Sequence, residues 1–177
     1  GTAGKLDWPA LSRLDAGAWH SRAHAGEPLA TLAGVSRFCL ANGLLLNIEI
    51  KPTPGTERVT GEAVAREAAD LWRTAPIAPL LSSFKPQALI GARAAAPHLP
   101  RGLLIDTWHT DAVAQATELG CVALICNYAL WDAPRVAQSR LAGLRTLSYT
   151  VNDPSVAAHV LALGTDGVIT DRVDLFA

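Results

Sequence analysis

The chain has 177 residues, half of them hydrophobic and 18% charged, with 15 basic side chains against 16 acidic ones. That composition excludes a disordered or solvating chain, and the near-neutral balance leaves no field to draw nucleic acid or an acidic membrane surface. The length suits a single domain with one substantial core, and no apolar run approaches the about 20 residues needed to span a bilayer.

The first 30 residues mix Gly, Trp, Ser and Arg without a sustained period, and Trp8, Leu11 and Leu14 offer at most one short helical face. They read as a loop-rich excursion. From Thr31 the pattern becomes regular. Thr31 caps a helix with Leu32, Val35, Phe38 and Cys39 on one face, which Asn42-Gly43 ends. The run LLLNIEI (44–50) predicts a strand buried on both faces, as in a parallel sheet. Thr60 starts a helix with Val64, Ala68, Leu71 and Trp72 in register. PLLSSF (79–84) is a short strand, and Pro86 opens the next helix at the position where its missing donor is harmless. RGLLID (101–106) is a strand, 111–119 a short helix stopped by Gly120, and CVALICN (121–127) a strand. Asp132 to Ala142 is a helix stopped by Gly143, followed by the strand LRTLSYTVN (144–152). Asp153-Pro154 opens a helix that Gly164 ends, and DGVITD (166–171) is the last strand.

Six strands alternating with helices predict an α/β fold with a parallel sheet and crossover helices. An open doubly wound sheet and a closed eight-stranded barrel compete. No GxGxxG or GxxxxGK[ST] follows any strand, so the nucleotide-binding open sheets lose support. A barrel needs eight units and about 200 residues or more, so six units in 177 residues suggest a (β/α)8 TIM barrel cut short at its N-terminus, a choice that periodicity alone does not force.

Both architectures bind ligands beyond the carboxyl ends of their strands. Polar groups gather there: Glu49 and Lys51, Ser82 and Ser83, Asp106, Asn127, Thr150 with Asn152, and Asp171. Glu49 breaks an apolar strand between Ile48 and Ile50, where a carboxylate is costly to desolvate without compensation. Lys51, two residues on, projects from the same side. The pair can offer a hard oxygen ligand for Mg2+ or Ca2+ and a fixed positive charge for an anionic substrate. It reads equally as a buried ion pair at the barrel rim. Asp106 and Asp171 can be ligands or turn caps, and Asn127 and Asn152 can orient a substrate or satisfy loop backbone. Ser82 and Ser83 lack a His–Asp context for nucleophilic catalysis. His20 and His24 stand four apart in a segment that is not convincingly helical and read as loop residues, while His98, His109 and His159 are solitary. The three cysteines, Cys39, Cys121 and Cys126, lie in apolar stretches without a CxxC pair and read as buried thiols. With no charged-then-apolar leader, a reducing, cytoplasmic location is expected.

The segments LDAGAW (14–19), AGEPLATL (25–32), NIEIKP (47–52), LLSSF (80–84), YTVN (149–152) and GVITD (167–171), in this order, resemble the bacterial cytoplasmic glycerophosphodiester phosphodiesterases. The resemblance implies hydrolysis of glycerophosphodiesters to glycerol 3-phosphate and an alcohol, a place in lipid and glycerol metabolism, and a bound divalent cation, Mg or Ca. It makes Glu49 a metal ligand and Lys51 the catalytic contact to the substrate phosphate, and lets Phe84, Tyr149 and Asn152 shape the substrate pocket. Residues 1–177 then form one domain. Residues 1–30 match the family's insertion between the second and third barrel units, and 31–177 match units three to eight. The chain departs from the family in lacking its His-Arg strand end, acidic pair and His-Asp hairpin, which carry the acid–base histidines. A second reading is therefore a catalytically incomplete fragment acting as a phosphate-binding module or as one that self-associates into homo-oligomers through exposed sheet edges.

Overall fold

The computed structural model describes residues 3–176, in two compact units, Gly1–Leu45 and Leu46–Ala177. In the first, Asp7 caps the four-residue helix α1 (Trp8–Leu11) by accepting the Ala10 N–H at 3.0 Å. The irregular segment that follows is tied together by one carboxylate. Asp15 accepts N–H bonds from Gly17, Ala18 and Gly26, which hold its carboxyl below the usual carboxylate range. Helix α2 (Leu32–Ala41) begins as expected, with the Thr31 hydroxyl accepting the Gly34 N–H at 3.0 Å. It ends at Gly43, whose φ of +65° suits a residue without a Cβ. Its buried side chains are Ser36 and Cys39, whereas Phe38 is exposed, a correction to the expected face. Each helical step turns about 100°, so Phe38 cannot share the centre of the face that buries Cys39.

The second unit alternates strand and helix throughout: β1 (Asn47–Glu49), α3 (Glu57–Leu71), β2 (Leu80–Ser83), α4 (Pro86–Ala95), β3 (Arg101–Ile105), α5 (Ala112–Glu118), β4 (Ala123–Asn127), α6 (Ala133–Leu141), β5 (Arg145–Tyr149), α7 (Pro154–Ala162), β6 (Gly167–Val168) and α8 (Val173–Phe176). The strands make one six-stranded sheet in sequence order, every neighbouring pair parallel. Asp132 and Asp153 cap α6 and α7 with their side chains, each followed by a proline at the start of the helix. Gly120, Gly143 and Gly164 follow α5, α6 and α7 in the left-handed conformation.

Three expectations need correction. β1 has three residues rather than seven, and Leu44 and Leu45 are exposed, because a strand bonded on one side only lacks a second neighbour to cover it. β6 has two residues rather than six, again at an edge. Helix α3 begins at Glu57 rather than Thr60, with the Glu57 carboxylate accepting the Gly55 N–H at 3.1 Å.

The sheet has two faces with different partners. Leu81, Leu103, Leu124 and Cys126 pack against the helices in two clusters. On the other face Leu80, Leu104, Ala123, Ile125, Leu147, Tyr149 and Ile169 pack on one another, strand on strand. This is the interior of a curled parallel sheet, and the register places Asn47 and Glu49 on it, opposite Leu80 and Ser82.

Candidate active site

Continuing the alternation of β1, β2 and β3 past their carboxyl ends places Lys51, Phe84 and Asp106 on the interior side, two residues beyond Glu49, Ser82 and Leu104. Register brings Asn127 beside Tyr149, and Asp106 follows Ile105, the partner of Cys126. The mouth of the sheet is therefore lined by Glu49, Lys51, Phe84, Asp106 and Tyr149. Lys51 Nζ lies 3.5 Å from Glu49 Oε1, with the lysine side chain 77% exposed and the glutamate 32%. The pair lines a cavity of 280 Å3 with Phe84 and Lys85. Glu49 is thus neither fully buried nor turned to bulk water, and its ammonium neighbour remains wet and free to meet an anion.

Phe84 and Tyr149 meet edge to face, with ring centroids 5.7 Å apart. The Tyr149 hydroxyl donates to the Ile105 carbonyl at 2.7 Å, which fixes the ring across two intervening strand gaps. Burial, followed by the negative potential of Asp106, Cys126 and Glu49, pushes the Tyr149 phenol up to about 12. Glu49 of β1 and Asp106, the residue after β3, thus lie near enough to Tyr149 of β5 for their charge to bear on its phenol.

The remaining polar strand-end residues are held by their own surroundings. Ser82 donates to Asn47 Oδ1 at 2.9 Å and Ser83 to the Ile50 carbonyl at 2.7 Å. Asn127 accepts the Ala129 N–H. Asn152 donates to Asp171 and accepts from Thr170 and the Asp171 N–H, so its amide ties the segment after β5 to the segment after β6. His109 pairs with Asp111 at 2.8 Å. In the first unit the His20 and His24 rings lie 5.0 Å apart near Trp19. The three cysteines are free and buried, and burial pushes Cys121 up to about 11 and Cys126 to about 12.

The matched family model decides the class: the glycerophosphoryl diester phosphodiesterase family covers residues 1–175. The chain belongs to that family. The chain is 28% identical over 170 residues to a glycerophosphodiester phosphodiesterase of Caldanaerobacter subterraneus, covering 91% of this chain and 65% of that protein. It is 25% identical over 180 residues to one from Bacillus subtilis, covering 94% of this chain and 61% of the relative. A phosphodiesterase of Oleispira antarctica, solved with its product sn-glycerol-3-phosphate, superposes with a TM-score of 0.87 at 28% identity, covering 97% of this chain and 69% of that one. This phosphodiesterase-family chain thus has the (β/α)8 barrel's alternating fold, with six strands among the described residues, and spans about two thirds of the length of the curated relatives it matches. No helix among the described residues is long and apolar enough to cross a membrane.

Divalent ions take about six or more oxygen ligands. Among the described residues of this family member, no three His, Cys, Asp or Glu side chains converge as an ion would require. Glu49 offers one carboxylate, already 3.5 Å from an ammonium. These residues do not fit a complete cation site.

Proposed function

We propose that this barrel belongs to a glycerophosphodiester phosphodiesterase, which hydrolyses glycerophosphodiesters to glycerol 3-phosphate and an alcohol. The observation that carries the reading is Glu49 and Lys51 side by side at the mouth, against the Phe84–Tyr149 pair. Hydrolysis adds the oxygen of water to phosphorus and breaks the bond to the alcohol oxygen, which leaves with a proton given up by the water, and negative charge gathers on the phosphoryl oxygens as the bonds exchange. Lys51 is proposed to contact those oxygens, where a fixed cation favours the transition state over the less charged reactants. Glu49, 3.5 Å away, holds the ammonium in place and is proposed as one ligand of the Mg2+ or Ca2+ that the family resemblance implies. Phe84 and Tyr149 are proposed to pack against the glycerol and exclude water, and Asn152 to support that wall through its bonds to Thr170 and Asp171. No residue of this chain is assigned a proton transfer. Residues 1–30 are proposed as the family's insertion, with units three to eight in 31–177.

Titration of the chain with sn-glycerol 3-phosphate, followed calorimetrically, tests the reading. Replacing Lys51 with Ala removes a charge-assisted contact and is expected to weaken binding by about tenfold or more. Equal affinity in the wild type and K51A would place the anion elsewhere and overturn the assignment.

A further inference from the structure

A cavity of 390 Å3 opens at the amino ends of the last strands, lined by Arg140, Gly143, Leu144, Arg145 and Asp166. Arg145 starts β5 and Asp166 immediately precedes β6, so in this parallel sheet the cavity lies at the end opposite to Glu49 and Lys51. Its one acidic group is fully engaged. Asp166 Oδ1 accepts from Arg145 Nη1 at 2.9 Å, and Oδ2 accepts the Thr146 N–H at 2.8 Å and the Thr146 hydroxyl at 3.0 Å. Burial raises this carboxyl, but those donors outweigh it and hold the group below the usual carboxylate range. Arg140 is different. From α6 its guanidinium reaches the turn that ends α7, where Nη1 would stand 3.3 Å from a Cβ on Gly164. Among the described residues it has neither a hydrogen bond nor an ion pair. The common use of an arginine at a helix end is to donate to the last carbonyls. At this same end of the sheet two others do so, Arg93 to Glu118 and Arg101 to Leu99 and Gly120. Arg140 makes no such bond.

We propose that this cavity is a binding site for a phosphate dianion, free or as a phosphate monoester, held between Arg140 and Arg145. Two guanidinium groups share one carboxylate whose oxygens are already bonded, so one positive charge is left without a counter-ion in a concave setting. A guanidinium offers two parallel N–H donors that match two oxygens of a phosphate. Arg145 uses only Nη1 on Asp166 and its side chain is 74% exposed, which leaves the rest of its fork open to a ligand. A dianion draws on both cations, whereas a carboxylate brings half the charge to the same place. Because both arginines meet solvent, the attraction is screened by salt. Binding here is independent of the mouth, since neither Glu49 nor Lys51 lines this cavity.

The test titrates inorganic phosphate, and separately sn-glycerol 3-phosphate, into the 177-residue chain at low salt, with backbone amides followed by NMR. Saturable shifts are expected at Gly143 and Leu144. R140Q should weaken phosphate binding there about tenfold, the size of a lost charge-assisted contact. R140K should keep part of the affinity, because an ammonium retains the charge without the fork. K51A should shift these amides as the wild type does, so the mouth and this cavity can fail separately. A monoester that binds more tightly than phosphate assigns the site to the ester, and equal affinities assign it to the phosphoryl group alone. Unmoved Gly143 and Leu144 amides, or an R140Q affinity equal to that of the wild type, overturn the site. Arg140 is exposed and unbonded among the described residues, so R140Q is expected to keep the wild-type urea midpoint. An R140Q chain that fails to fold would show the guanidinium committed to the fold, and would overturn the site as well.

Discussion

Tyr149 shows how one side chain at the mouth couples the site to the fold. Its hydroxyl donates to the Ile105 carbonyl at 2.7 Å, and removing it in Y149F leaves that acceptor without its partner. A loss of about 1 kcal/mol is expected, as for a single neutral hydrogen bond. The pH dependence follows from the direction of the shift. The folded phenol is raised from 10.0 to about 12, so the unfolded chain releases this proton first. Its contribution to stability is complete below pH 10 and is lost as pH rises from about 10 to about 12. Cys121 and Cys126, raised from 9.0 to about 11 and about 12, act in the same direction from a lower starting pH. Urea midpoints measured at pH 8 and pH 11 should therefore fall with pH in the wild type. The fall should be smaller in Y149F, with the cysteine contribution remaining. An equal fall in both proteins would show that Tyr149 does not titrate differently on unfolding. At this scale the Glu49–Lys51 pair was legible in the sequence, because period two alone puts both on one face. The company of Tyr149 was not, since its link to Ile105 spans 44 residues and crosses a strand.

Helices α3 and α4 cross closely enough for backbone to meet backbone. A Cβ on Gly61 would stand 2.0 Å from the Ala88 carbonyl oxygen, and one on Gly91 would stand 2.2 Å from that of Arg58. Helix propensity alone favours alanine over glycine by about 1 kcal/mol. Here the crossing decides instead, because carbonyl oxygens on the facing helix cannot rotate away as a side-chain tip can. G61A and G91A are each expected to lower stability by about 1–3 kcal/mol, read from urea midpoints. The double variant should cost less than the sum, because the first substitution already separates the helices. Stabilisation by either alanine would show that the crossing is looser than its geometry. The crossing itself was hidden from sequence reading: neither glycine is at a helix end, and the hydrophobic pattern of α3 names a buried face without naming its partner. Element ends were more legible. Thr31, Asp132 and Asp153 accept first-turn N–H groups, and Gly43, Gly120, Gly143 and Gly164 take positive φ, because these are local demands of chain chemistry. Edge-strand lengths were not, since covering a strand depends on neighbours that its own residues do not specify.

The described sheet runs from β1 to β6, and each of these end strands has one bonded neighbour. Among the described residues β1 pairs with β2 alone, and Leu44 and Leu45, which precede it in the chain, are exposed. Such an edge is a template for another strand, and exposed leucines next to it add apolar area to any pairing. β6 is less suited to the same role, since two residues offer few bonds. The 177-residue chain is therefore expected to associate with concentration through β1, raising its mean mass in light scattering across a dilution series. A charge beside the edge should oppose this, as lysines do on natural edge strands. L45K is expected to shift association to higher concentration while leaving the urea midpoint within about 0.5 kcal/mol of the wild type, because Leu45 is already exposed. A wild-type mass that stays monomeric throughout the series would remove edge pairing as a property of this chain. Unchanged association in L45K would move the contact away from β1.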